Sequence, residues 1–136
     1  MSTSQTQKSL ELISTDMAPP AAGPYSQAVK VGDMLYISGC IPLNLKSEVV
    51  FPGDVEKQAV QVLVNLKAVT EAGGSHINKI IKTTVFLKDV NDFATVNAIY
   101  AEFFGEHKPA RSTVEVARLP KDVLLEIDAI ALYVAR

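Results

Sequence analysis

Near the C-terminal end, charged side chains stand where an apolar strand would otherwise run. Pro109-Ala110-Arg111-Ser112-Thr113 opens one β-prone run, and Leu124-Leu125-Glu126-Ile127-Asp128-Ala129-Ile130-Ala131 makes a second. The turn signal Leu119-Pro120-Lys121-Asp122 lies between them. Glu126 and Asp128 are two residues apart, so a strand points both to one face. A carboxylate is seldom buried without a partner. A guanidinium is a natural one, and it is also the group best shaped to grip a small carboxylate at two points. Arg111 and Glu126 therefore read either as a structural ion pair or as the two poles of a small anion site. Spacing alone leaves both readings open.

Other chemistry is thin. No Ser/His/Asp or Cys/His spacing, phosphate-cradling glycine loop or metal-ligand set is present. Cys40 has no histidine or lysine beside it in sequence to activate its thiol. What is left is a guanidinium, a carboxylate, the hydroxyls of Tyr25, Ser38 and Thr113, and backbone near glycine. Such a set can hold a small carboxylic acid and position a water, which suits an easy hydrolysis.

The elements that must position these groups follow from pattern. Leu10 to Ile13 reads as a short strand, and Met17 to Pro24 holds too many prolines for a helix. Ala28–Val31 and Met34–Ser38 flank Gly32-Asp33 as a hairpin. That second strand runs into Ser38-Gly39-Cys40, where small residues signal either a close approach to the backbone or a bulge, and Ile41-Pro42 stops it. Ser47 to Phe51 reads as a further short strand. Asp54 is an N-cap for a helix whose apolar stripe is Val55, Ala59, Val62, Leu63, Leu66 and Val69, with Gln58, Gln61 and Asn65 on its polar back. Gly73-Gly74 ends it. Lys79 to Lys88 reads as a strand with Ile81, Thr83, Val85 and Leu87 on one face. Asn91-Asp92 caps a second helix bearing Phe93, Val96, Tyr100, Phe103 and Phe104, with Asn97 beside that stripe. An amide there is ordinarily a packing partner. His107 falls in the connector that follows.

From the hairpin on, the order is strand, strand, strand, helix, strand, helix, strand, strand. That predicts one α+β domain over residues 10–136, with two helices on one face of a mixed sheet. Residues 1–9 are polar and predict a disordered tail, with neither a secretory signal nor a mitochondrial presequence. The chain has 136 residues, 48% hydrophobic and 21% charged, with a net charge of −2. That balance argues against life on nucleic-acid phosphate. No apolar run reaches membrane-span length. A single cysteine allows no intrachain disulfide and fits a reducing, cytoplasmic setting. Two helices cover one sheet face only, and the strand Leu124 to Val134 should not leave the other wet, which predicts a homo-oligomer.

Several ordered motifs also resemble a known family. They are Gly23-Pro24-Tyr25-Ser26-Gln27-Ala28, Ser38-Gly39-Cys40-Ile41-Pro42, Lys82 through Asp89, Asn91-Asp92-Phe93, Val96-Asn97-Ala98-Ile99-Tyr100, and Pro109-Ala110-Arg111-Ser112 through Leu119-Pro120 to Glu126-Ile127. Together they are similar to the RidA (YjgF) family of reactive-intermediate deaminases, over about Ile13 to Ala131. The resemblance implies a chorismate-mutase-like homotrimer, with three sheets around a central barrel and a cleft at each subunit boundary. It implies hydrolysis of 2-imino acids such as 2-iminobutanoate and 2-iminopropanoate to 2-keto acids and ammonia, without cofactor or metal. These imines are released by pyridoxal-phosphate enzymes acting on threonine and serine.

Position by position, Arg111 matches the arginine that binds the substrate carboxylate, and Glu126 the carboxylate that orients the attacking water. Tyr25 and Ser38 match cleft hydroxyls, Gly39 the backbone beside them, and Asn97 an asparagine near the site. Two departures stand out: Cys40 replaces a common glutamine, and Thr113 replaces a common cysteine. Thiol chemistry at 113 is therefore excluded, and that position contributes fit or a backbone group. Relatives described as ribonucleases, translation inhibitors or chaperone-like proteins keep a non-enzymatic binding module or an RNA-directed protein as the alternatives. A plain structural trimer is the third.

Overall fold

The computed structural model describes residues 9–133, which fold as one six-stranded sheet with two helices. The strands are β1 (Leu10–Ile13), β2 (Ala28–Val31), β3 (Met34–Cys40), β4 (Ile80–Leu87), β5 (Ala110–Glu115) and β6 (Leu125–Leu132). The helices are α1 (Val55–Ala72) and α2 (Phe93–Phe104). The sheet order is β1-β2-β3-β6-β4-β5. β3 and β4 both pair antiparallel with β6, so they run parallel to each other with β6 between them. Parallel strands need a long crossover, and α1 supplies it. β4 and β5 pair directly in parallel, and α2 supplies that crossover.

The core lies between sheet and helices. Ala59, Val62, Leu63, Leu66 and Val69 of α1 are buried at helical spacing, against Leu35 and Ile37 of β3 and Leu125, Ile127, Ala129 and Ala131 of β6. Asp54 caps α1 by accepting from Lys57 N at 3.0 Å. Burying a side chain such as Leu66 stabilises by about 1.5–3 kcal/mol.

Several expectations need correction. Ser47 to Phe51 is no strand. Ser47 and Phe51 take left-handed backbone angles (φ 64° and 50°), which break an extended run, and only an isolated Leu43–Val49 bridge forms. Ile81 is exposed, not on the inner face. β4 bulges there, since Ile80 pairs with Ala131 while Lys82 pairs with Ile130. Ile80 takes the inner position instead. Gln58 and Asn65 are buried, not on a wet helix back. The Gln58 amide donates to Val50 O and Phe51 O and accepts from Leu124 N. The Asn65 amide donates to Ile41 O and Leu43 O. Each amide fastens a loop that has no ladder of its own. Ahead of α2, Asp92 makes no side-chain cap; Asp89 caps the preceding 3-10 turn through Asn91 N at 2.9 Å. Strand β6 begins at Leu125, and its expected end at Val134 lies outside the described residues, as do residues 1–8 of the expected tail.

The uncovered face also differs in character from the expectation. The apolar residues of β6 alternate toward the helices, while Glu126, Asp128 and Ile130 point to the open face. Phe86, Thr84 and Lys82 of β4 lie opposite those three. Toward β1 the open face becomes apolar, with Tyr36, Val29 and Leu12 in register across Ile130.

Candidate functional site

The groups expected at the site fall into two clusters. The first is built on α2 and the edge strand β5. Arg111 pairs in register with Thr83, whose fully buried side chain points to α2, so Arg111 also leaves the sheet on the helix side. Its Nη1 donates to Asn97 Oδ1 at 2.8 Å. Its guanidinium carbon stands 4.8 Å from the centre of the Tyr100 ring and 5.5 Å from that of Phe93. Both distances suit attraction between a cation and an aromatic face. Asn97, Tyr100 and Phe93 come from successive turns of α2, which is why one helix can surround one guanidinium. Tyr100 is fixed from behind: its hydroxyl and that of Thr83 are 2.6 Å apart. Burial keeps the Tyr100 phenol above its ordinary pKa, so the ring under the cation is neutral. Thr113 lies two residues along β5 from Arg111 on the same face.

The second cluster lines a cavity of about 500 Å³ at the end of the sheet where β3 leaves β6. Tyr25, Ser38, Gly39 and Glu126 all line it, together with Lys121 and Cys40. The cause of the opening is a bulge. Ile37 pairs with Ala129 and Cys40 with Ile127, three steps on β3 against two on β6, so Ser38 and Gly39 are squeezed out opposite Asp128. Both readings of Ser38-Gly39 thus hold at once: it is a bulge, and a side chain approaches it. A Cβ on Gly39 would overlap Glu126 Oε2 and come within 2.8 Å of its Cδ. Ser38 Oγ donates to Ser26 O at 2.6 Å, and Tyr25 Oη accepts from Ala22 N at 3.2 Å, which orients both hydroxyls.

The sequence does not disclose how two parts of the cavity wall are held. Gln27 is buried; its Oε1 accepts from Thr15 N at 2.7 Å and its Nε2 donates to Pro19 O at 2.7 Å. That amide holds the proline-rich segment as a wall. Opposite it, Lys121 and Asp122 both take left-handed angles (φ 56° and 57°), uncommon for residues with a Cβ. An Arg118–Asp122 clasp at 2.6 Å and a Lys121 Nζ bond to Ser47 O at 2.9 Å hold that corner. The turn signal was visible; its backbone strain was not.

Burial raises the Glu126 pKa above the usual carboxylate value, and the neighbouring Asp128 charge adds to this. Burial likewise pushes the Cys40 thiol up to about 12, helped by Glu126 and Asp128. Cys40 is therefore a thiol, not a thiolate, at neutral pH. His107 is the expected loop residue, its ring pinned to Ile80 O at 2.7 Å.

The two clusters do not meet within one chain. Arg111 leaves the sheet on the helix side and Glu126 on the open side, with β4 between their strands. Two strand spacings alone separate them by roughly 10 Å. Within one chain they form no ion pair: the ion pairs among the described residues are Lys30–Glu11 and Arg118–Asp122. Among the described residues no three His, Cys, Asp or Glu side chains cluster as metal ligands would, and no helix is long and apolar enough to cross a membrane.

This mixed sheet with its two helices superposes on solved proteins of the YjgF and L-PSP type. The YjgF gene product of E. coli superposes with a TM-score of 0.84 at 58% identity, covering 90% of this chain and 98% of that one. E. coli TdcF with bound serine superposes with a TM-score of 0.85 at 50% identity, covering 91% and 99%. Residues 15–133 match the family described as Endoribonuclease L-PSP, and the chain belongs to that family, which is also the YjgF (RidA) family. Within it, the 2-iminobutanoate/2-iminopropanoate deaminase of Escherichia coli (strain K12) is 59% identical over 122 residues, covering 88% of this chain and 94% of the relative. The resemblance read from the motifs is thus correct as to family and fold.

Proposed function

We propose that this protein hydrolyses small 2-imino acids to 2-keto acids and ammonia, in a site completed where two copies of the chain meet. The observation that carries the reading is the surroundings of Arg111. An amide oxygen and two aromatic rings hold the guanidinium, and no carboxylate among the described residues neutralises it. The counter-charge it is built for is a ligand's carboxylate, gripped at two points. The identity to a relative named as such a deaminase, and a solved relative carrying bound serine, support a small amino-acid-like ligand.

The chemistry then assigns roles. Arg111 binds the carboxylate of R–C(=NH)–COO⁻, and Asn97 and Thr113 border that pole. Glu126, its pKa raised, aims a water at the C=N carbon and takes its proton. The new C–O bond gives a carbinolamine, and the nitrogen takes up the proton. Glu126 then relays the hydroxyl proton to the nitrogen, the C–N bond breaks as the carbonyl forms, and ammonia leaves. Tyr25, Ser38 and the Gly39 backbone border the reacting end. Since Arg111 and Glu126 lie on opposite faces, a neighbouring copy must bring one of them. The apolar part of the open face, around Tyr36, Val29 and Leu12, is the surface for that assembly, as a trimer.

Coupling the protein to a threonine dehydratase and following 2-oxobutanoate release tests the reading. The protein should accelerate release. Arg111→Ala should lose about 2–4 kcal/mol of transition-state stabilisation, tens to hundreds of fold. Full activity in Arg111→Ala, or no acceleration by the native chain, overturns it. The family's endoribonuclease description favours a second reading. RNA cleavage that persists in Arg111→Ala, with salt-sensitive binding, would establish that one instead.

A further inference from the structure

We propose that Phe93 and Tyr100 are positioning residues: their ring faces fix the plane of the Arg111 guanidinium, so that the edge left free by Asn97 meets the substrate carboxylate. This deepens the functional reading above and rests on it.

A two-point grip on a carboxylate requires the guanidinium plane to be set in advance, because both N–H bonds must lie in the plane of the carboxylate. In an ion pair, an acidic partner would set that plane. Such a partner at Arg111 would occupy the edge a substrate needs. Here the restraint comes from groups that do not compete for it. Tyr100, with its ring centre 4.8 Å away, and Phe93, at 5.5 Å, present π faces to the cation. Asn97 Oδ1 takes one proton of Nη1 at 2.8 Å. The Nε and Nη2 side makes no hydrogen bond to a described residue, and that is the pair of donors a carboxylate grips.

The depth of the support is graded. Tyr100 is 7% exposed and tied to Thr83, which is 0% exposed, so that ring cannot turn without breaking a buried hydrogen bond. Phe93 is 39% exposed at the first turn of α2. It can be changed with little loss to the core, whereas a small residue at Tyr100 would open a cavity. Both aromatic residues belong to a stripe that periodicity alone assigns to packing. Only the position of Arg111 over them reveals a second task.

The test uses the full chain carrying Phe93→Leu, with Tyr100→Phe, which keeps the ring and loses the Thr83 bond. The KM for 2-iminobutanoate should rise about three- to tenfold in Phe93→Leu, the range expected for one partly exposed cation–aromatic contact. The kcat should stay within about twofold, since ground-state and transition-state binding weaken together. Tyr100→Phe should move KM in the same direction by less. In ¹⁵N-arginine-labelled protein, the separate Nη signals of Arg111 should merge in Phe93→Leu as the guanidinium begins to rotate. An unchanged KM and unchanged Nη signals in Phe93→Leu, beside a crippled Arg111→Ala, overturn the positioning role. If Arg111→Ala is fully active, the functional reading fails, and the Nη signals still decide whether the rings hold the plane.

Discussion

Around Arg111 three contacts favour the charge: an amide oxygen accepts from it and two ring faces lie against it. Around Glu126 the neighbours oppose the charge. Half-burial removes water, and Asp128 adds a like charge on the same face of β6. The difference matches the two roles proposed for these residues. A binding pole is best when its ionised form is at rest before the ligand arrives. A proton-handling pole is best when its charged form is uncomfortable, because it then takes a proton more readily than an ordinary carboxylate and can release it again. The sheet puts Arg111 and Glu126 on opposite faces, with β4 between their strands.

The largest effect should come from abolishing proton transfer at one pole while leaving the other intact. Glu126→Gln should lower kcat about 10²- to 10⁴-fold, while the binding of 2-oxobutanoate, measured by calorimetry, changes little. The same variant should be more stable at neutral pH. The sign follows from the raised pKa. The folded chain holds the Glu126 proton more tightly than the unfolded chain does. Stability therefore falls as pH rises from the ordinary glutamate pKa, 4.5, through the higher folded value. Glutamine removes that loss. Thermal melts at pH 4 and pH 7 should show the gain at pH 7 alone. Arg111→Ala should show no such gain, and an equal gain in both variants would erase the contrast between the poles.

A smaller effect comes from moving the carboxylate without removing it. A methyl group at Gly39 would collide with the far end of the Glu126 side chain, which can rotate away. Gly39→Ala should therefore cost activity, about 10- to 100-fold for a base displaced from its water, with a melting temperature close to native. A collapse of stability with activity preserved would mean that Gly39 serves the bulge and not the carboxylate.

The sequence made the order of elements legible because each had a strong local period: the α1 stripe, the aromatic α2 stripe and the two-residue Gly32-Asp33 turn with Gly32 at φ 57°. Arg111 and Glu126 were legible as charges in β-prone runs. Their separation was not, since the face of each residue depends on pairing between strands far apart in sequence. The β4 bulge at Ile81 shows the same limit, because one unpaired residue reverses an alternation that reads cleanly along the chain. Gln27, Gln58 and Asn65 were illegible for a related reason. An amide on a polar helix back and an amide that clamps a loop carbonyl look alike until the loop is in place.

The gentlest test keeps both poles and changes only the second reason for the raised Glu126 pKa. Asp128→Asn removes a like charge on the same face and leaves the burial, the larger cause, untouched. The Glu126 pKa should fall but stay above its ordinary value. In the proposed reaction Glu126 works in its ionised form, so activity should rise with pH through that pKa, and the acidic limb of kcat/KM should shift to lower pH. The plateau should hold, since water placement is unchanged. Lys121 lines the same cavity, and the Cys40 thiol there loses the small push that Asp128 gives it but stays protonated, because burial is the larger cause. Stability around the limb should rise slightly, by the same sign as in Glu126→Gln and by less, because less of the charge's discomfort is relieved. A limb that stays in place when Asp128 is neutralised would belong to another group, and the proton-handling pole would then have to be sought away from the bulge.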